Sequence, residues 1–103
     1  MAQIRKAAVL GAGVMGTAIA AHLTNAGVPC MLLDMVPTDA SGDPKDRNRL
    51  AAGAMQHARK ASPAPFAHKD RARMITVGNF EDDLERLSEV DWVVESCRGA
   101  YGR

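Results

Sequence analysis

The chain has 103 residues, enough for one domain with one core, and its 47% hydrophobic and 24% charged residues suit a folded globular protein better than a disordered one. A net charge of +1 argues against a dedicated nucleic-acid binder, and the apolar runs fall far short of the roughly 20 residues that cross a bilayer. The N-terminus lacks a secretory layout, and Cys30 and Cys97 form neither a metal-ligand spacing nor a disulfide framework, so no metal is expected and a reducing, cytoplasmic setting is.

In chain order, residues 4 to 10 end in a short apolar run of strand length that stops at a glycine cluster. From Val14 to Ala26 the spacing predicts a helix: Met15, Ile19 and Leu23 share one side, while Gly16 and Ala20 keep a second side small. Gly27 falls where a left-handed C-terminal cap belongs, and Pro29 prevents continuation. CMLLDM, residues 30 to 35, is a nearly unbroken apolar run closed by an acid, the pattern of a strand covered on both faces.

Pro37 to Gly42 reads as a loop. Asp43 and Pro44 form an N-cap and first-turn pair, and the pattern through Leu50, Ala54 and Ala58 predicts a second helix running to about Ala61. The prolines of residues 62 to 66 break it before a short basic helical turn near His68 to Arg73. Residues 74 to 78, MITVG, form a third strand. Asn79, with Asp82 as an imperfect capping box, opens another helix whose apolar side is Leu84 and Leu87. Residues 91 to 95, DWVVE, are a fourth strand. This alternation predicts an α/β fold with right-handed crossovers, a Rossmann-type doubly wound parallel sheet that stops after about the fourth strand. Residues 1 to 95 form the domain, and residues 96 to 103 read as a polar tail of unclear origin.

The chemistry lies in Gly11-Ala12-Gly13-Val14-Met15-Gly16, a G-x-G-x-x-G turn between the first strand and the first helix. The first glycine permits the tight turn, the second lets backbone approach a diphosphate, and the third lets helix pack on strand. Free amides and the helix dipole then face the phosphates. Asp34 lies 18 residues beyond Gly16, at the end of the next strand, where a carboxylate accepts hydrogen bonds from the adenine ribose. An acid there repels the extra phosphate of NADP, and no arginine follows it among Met35, Val36 and Pro37, so NAD is the expected cofactor. FAD, whose proteins usually carry a glutamate at that place, is the minor alternative.

Other residues carry less. His22, His57 and His68 have no carboxylate at an obvious pairing distance and read as solvated or packed, so no catalytic base is assigned. Cys30 should be an inert buried thiol, and Cys97 has only Arg98 nearby to activate it. The methionines read as core filler. Residues 45 to 73 carry eight Lys or Arg against Asp46 and Asp70, and residues 81 to 95 carry seven acids against Arg86. Both runs read as solvated helical faces, with a phosphorylated ligand as the sharper use of the basic one.

From Ile4 to Glu95 the chain resembles the N-terminal NAD-binding domain of 3-hydroxyacyl-CoA dehydrogenases, notably those of bacterial fatty-acid β-oxidation. The likeness rests on AAVLGAGVMGTAIAAHLTNAGVPCMLLDMVP, NRLAAGAMQHARKASPAPF and HKDRARMITVGNFEDDLERLSEVDWVVE. It implies oxidation of a (3S)-3-hydroxyacyl-CoA to the 3-ketoacyl-CoA with NAD as acceptor. It also implies cofactor contacts at Gly11 to Gly16, Asp34 and Glu95, and coenzyme A phosphates near Lys60 and Lys69. The family's serine contact to coenzyme A falls at His57.

The departures bear on activity. The family's second glutamate after the fourth strand falls at Gly99, and the lysine that follows it there is missing. The family's serine, its His–Glu pair, its asparagine and its α-helical dimerising domain all lie further on. The resemblance therefore implies a parent dehydrogenase acting on an acyl-CoA and an isolated chain that is inactive. Alternatives are a standalone NAD-binding regulatory module, and a vestigial chain that oligomerises through its unfinished sheet edge.

Overall fold

The computed structural model describes residues 5–60 and 69–96. Four parallel strands, β1 (Ala7–Leu10), β2 (Cys30–Asp34), β3 (Ile75–Asn79) and β4 (Trp92–Glu95), form one sheet in the order β3-β2-β1-β4. β1 pairs with β2 from Ala7 opposite Cys30 to Leu10 opposite Leu33, and with β4 from Ala7 opposite Trp92 to Leu10 opposite Glu95. β2 pairs on its other side with β3, ending at Asp34 opposite Asn79. The α/β parallel architecture expected from the alternation is therefore present.

The pleat sends alternate side chains to opposite faces. Ala7, Val9, Cys30, Leu32 and Ile75 join helical Ala20, Ala51, Met55 and Ala72 in one core, while Ala8, Met31 and Leu33 form a second core with Leu10, Phe80, Leu87 and Val90 packed on it. All but the last residue of β2 are buried, as its unbroken apolar run requires. No helix among the described residues is long and apolar enough to cross a membrane.

Helix α1 (Val14–Asn25) closes as Gly27 predicts. Gly27 has φ +89°, its N–H reaches Thr24 O at 2.9 Å, and the Val28 N–H reaches Leu23 O at 3.0 Å, so a Schellman motif satisfies the last carbonyls. The side of α1 that meets the sheet is the small one: Gly16, Thr17, Ala20, Ala21 and Thr24 are buried. Met15 is 70% exposed and Ile19 and Leu23 lie at the margin of the core. Small side chains let the helix axis approach the strands, which displaces the larger stripe to the rim.

The second helix is not continuous. It divides into α2 (Pro44–Arg47) and α3 (Arg49–Lys60). Asp43 caps α2 through Lys45 N–H as expected, but Asn48 leaves helical geometry and its Oδ1 accepts Asn79 Nδ2 at 2.6 Å. In α3 Ala51, Met55 and Ala58 are the buried residues, with Ala51 and Met55 in the core against the sheet, and Leu50, expected on that side, is exposed.

A short helix α4 (Lys69–Ala72) stands where the basic turn was expected; the preceding prolines, His68 and the C-terminal tail from Cys97 lie outside the described residues. After β3 the chain forms a 3-10 helix at Leu84–Glu89 instead of an α-helix, and Leu84 is exposed. Asn79 Oδ1 caps the amides of Glu81 and Asp82 at 2.9 and 2.7 Å. The acid that returns to the Asn79 N–H is Asp83, at 2.9 Å, and not Asp82. With those residues tied to the strand end, few remain to reach β4, and the longer rise of a 3-10 helix spans that gap. The methionines divide: Met31 and Met55 are core residues, whereas Met15 and Met35 are exposed.

Candidate functional site

The chain leaves central β1 for β2 and β3 on one side and returns to β4 on the other. The carboxyl ends of β1 and β4 therefore flank a crevice where the strand order reverses, the place at which open α/β sheets bind ligands. The glycine turn lies at that crevice. Gly11 has φ +109°, a conformation that other residues seldom adopt, and its N–H donates to Leu33 O at 2.7 Å. A Cβ on Gly16 would stand 1.8 Å from Gly11 O, so only glycine lets the first turn of α1 lie on the end of β1.

A Cβ on Gly13 would meet nothing within 4 Å: the space beside the second glycine is open. The first bond closing the helix runs from Thr17 N–H to Gly13 O at 2.9 Å. The amides of Val14, Met15 and Gly16 thus precede the helical ladder; no side chain caps them, and the first turn holds no acid. An uncapped terminus carrying about half a positive charge attracts an anion. Val14 is 92% exposed beside it, and an apolar groove of about 480 Å³ runs from Gly13 and Val14 past Thr17 and Ala18 to Ala54, His57 and Ala58 of α3.

Asp34, at the end of β2, is on the same side. Its Oδ2 accepts the Ala12 N–H at 2.8 Å, and its Oδ1 accepts the Met35 N–H at 2.6 Å. Glu95 ends β4 in register with Leu10 and is exposed. The structure brings Gly11, Ala12, Gly13, Val14, Met15, Gly16, Asp34 and Glu95 to one edge of the sheet. Lys60 closes α3, and Lys69 opens α4, the short helix that leads into the amino end of β3. The basic run is partly consumed within the fold: Arg47 binds Asp82 at 2.8 Å and Glu81 at 3.2 Å, and Arg49 binds Asp46 at 3.0 Å and also Asp39.

Two features escape sequence reading. Ser96, the first residue after β4, donates through its hydroxyl to Gly11 O at 3.1 Å, and its N–H reaches Leu10 O at 2.8 Å; as the start of a polar tail it gives no signal. Fully buried Asn79 gathers Asn48, Asp82 and the Glu81 amide beside the end of β2. Hydrogen bonds from Arg47 and then Asn79 hold the Asp82 carboxyl below its ordinary value of 3.8. Burial pushes the Cys30 thiol up to about 11, in keeping with an inert thiol.

A glycine turn, an uncapped helix terminus and an acid on the neighbouring strand, together at the reversal of strand order, define a dinucleotide-binding domain of the Rossmann type. Residues 6–100 match the family described as 3-hydroxyacyl-CoA dehydrogenase, NAD binding domain, and the chain belongs to that family. Its cofactor is accordingly NAD. A Deinococcus radiodurans protein named "Probable 3-hydroxyacyl-CoA dehydrogenase" is 57% identical over 94 residues, 91% of this chain and 26% of that protein. A Bacillus subtilis protein of the same name is 50% identical over 102 residues, 89% of this chain and 13% of that protein. The crystal structure of M. tuberculosis FadB2 superposes with a TM-score of 0.57 at 25% identity, over 94% of this chain and 32% of that one. The chain thus spans about a quarter or less of the length of these curated relatives, and corresponds to their NAD-binding part.

Proposed function

We propose that Gly11 to Gly16 hold the diphosphate of NAD, that Asp34 reads the adenine ribose, and that Glu95 borders the cofactor at the end of β4. The observation that carries this reading is the 2.8 Å bond between the Asp34 carboxylate and the Ala12 amide, which puts the sugar-reading acid against the phosphate-holding turn. The uncapped amides of α1 suit an anion, and the open space at Gly13 suits its close approach. The negative charge of Asp34 disfavours the additional phosphate of NADP. Calorimetric titration tests this: NAD is expected to bind more tightly than NADP, with Asp34→Ala removing the preference. Equal binding of both by the unmodified chain would refute it.

The whole protein is then an oxidoreductase that converts a 3-hydroxyacyl-CoA to the 3-ketoacyl-CoA, in fatty-acid β-oxidation. NAD supplies the hydride acceptor. This chain's own residues bind and orient the cofactor, and among the described residues none is assigned to proton transfer: His22 and His57 stand on exposed helical faces. Hydride transfer needs the acceptor, the substrate carbon and a base in near contact, so the 103-residue chain by itself is inactive. Absence of turnover with NAD and 3-hydroxybutyryl-CoA is the expected result. Lys60 and Lys69 are assigned to coenzyme A phosphates; titration with acetoacetyl-CoA before and after Lys60→Ala tests that.

Among the described residues β4 pairs with β1 alone, and its exposed Trp92 and Val93 support self-association of the chain through this strand; a concentration-independent monomer mass would contradict it. The unpaired buried thiol of Cys30 supports a reducing, cytoplasmic setting.

A further inference from the structure

The Gly11–Ala12 peptide is gripped at both ends. Its carbonyl accepts the Ser96 hydroxyl at 3.1 Å, from the end of β4. Its N–H donates to Asp34 Oδ2 at 2.8 Å, from the end of β2. One residue on, Ala12 O accepts the buried Thr17 hydroxyl at 3.4 Å. A peptide plane held from both sides cannot rotate freely, and its orientation sets the direction of the next amides, those that open onto the space beside Gly13.

We propose that Asp34 is a positioning residue as well as a ribose contact: by accepting the Ala12 amide it holds the glycine turn in its phosphate-binding shape, so that diphosphate affinity depends on Asp34 even when the ribose has no hydroxyls. This rests on the NAD reading above and adds a task to one of its residues.

The valence of the carboxylate fits both tasks. A carboxylate offers about four acceptor directions. The Ala12 and Met35 amides use one on each oxygen, leaving two for the two hydroxyls of a ribose. An amide side chain cannot reproduce this. Whichever way an asparagine at this position is turned, its NH2 faces one of the two backbone N–H groups, donor against donor. The acid therefore serves the turn before any cofactor arrives, and Asp34→Asn breaks one of its two backbone bonds.

The experiment compares ADP with 2′,3′-dideoxy-ADP by calorimetry on the 103-residue chain and on Asp34→Ala and Asp34→Asn. The proposal expects both variants to bind dideoxy-ADP about tenfold more weakly than the unmodified chain, the scale of a lost hydrogen bond to a charged group. Variants that lose affinity for ADP but bind dideoxy-ADP as the unmodified chain does would overturn it and leave the NAD reading standing. An unmodified chain that binds neither NAD nor ADP would overturn the NAD reading. A second measurement needs no variant and no ligand. NMR scalar coupling across the hydrogen bond, from the Ala12 amide nitrogen to the Asp34 carboxylate carbon, is expected in the unmodified chain, and its absence overturns the positioning role.

Discussion

A methyl group on Gly16 would stand 1.8 Å from the carbonyl oxygen of Gly11, and 2.6 Å from the Ser96 hydroxyl. The first contact is with backbone, which cannot step aside as a flexible side chain can. The third glycine of the motif is thus a packing requirement that joins the start of α1 to the end of β1. Gly16→Ala is expected to cost about 3 kcal/mol of stability through overpacking and to abolish NAD binding. Urea unfolding and calorimetry would measure the two effects.

Gly13 should behave in the opposite way. Its φ of −76° is open to any residue, and a Cβ there meets nothing within 4 Å. Gly13→Ala should leave the unfolding midpoint within about 0.5 kcal/mol of the unmodified chain, as surface substitutions do. The methyl would fill the space assigned to the diphosphate, so NAD affinity should fall by about tenfold or more, the scale set by a lost hydrogen bond to a charged group. A variant that loses stability but keeps its affinity would contradict this division of labour.

Asn79 is the polar pivot of the sheet end beside Asp34. Asn79→Ala removes the bond to Asn48 that anchors the α2–α3 break, and the caps on Glu81 and Asp82. The expected loss is about 2 kcal/mol, seen as a lower thermal midpoint. Asn79→Asp keeps both caps but sets a second carboxylate against Asp82. It should be destabilised at neutral pH and partly recover in acid, where protonation relieves the repulsion.

Cys30 provides a pH test. Its thiol ordinarily ionises near 9.0 and is raised to about 11 by burial. Above pH 9 the unfolded chain therefore loses the proton while the folded chain keeps it. Protons bound by the folded state exceed those bound by the unfolded state, so stability falls as pH rises from 9 to 11, by up to about 2–3 kcal/mol. The contribution is fully retained below pH 9. Chemical unfolding of the unmodified chain and of Cys30→Ala across this range should show the slope in the former and a smaller one in the latter. A disulfide reagent at pH 8 should leave Cys30 unmodified until the chain unfolds.

The order of elements, the glycine turn with its acid and the Gly27 cap were legible because each is decided within a few residues: by apolar periodicity, by glycine's freedom at positive φ, or by a cap bonding the turn next to it. What escaped was decided between residues far apart. The exposure of Met15, which reads from the sequence as core filler, depends on how close the sheet lets the small face of α1 come. The break at Asn48 depends on Asn79, 31 positions away, and the grip on the glycine turn depends on Asp34 and Ser96, 22 and 85 positions from their partners. Neighbouring residues suffice to set which conformation each segment favours and which residues can meet a phosphate or a sugar. Which of them stand together is settled by the folded sheet, because the strand order β3-β2-β1-β4 brings the ends of β2 and β4 to opposite sides of one peptide.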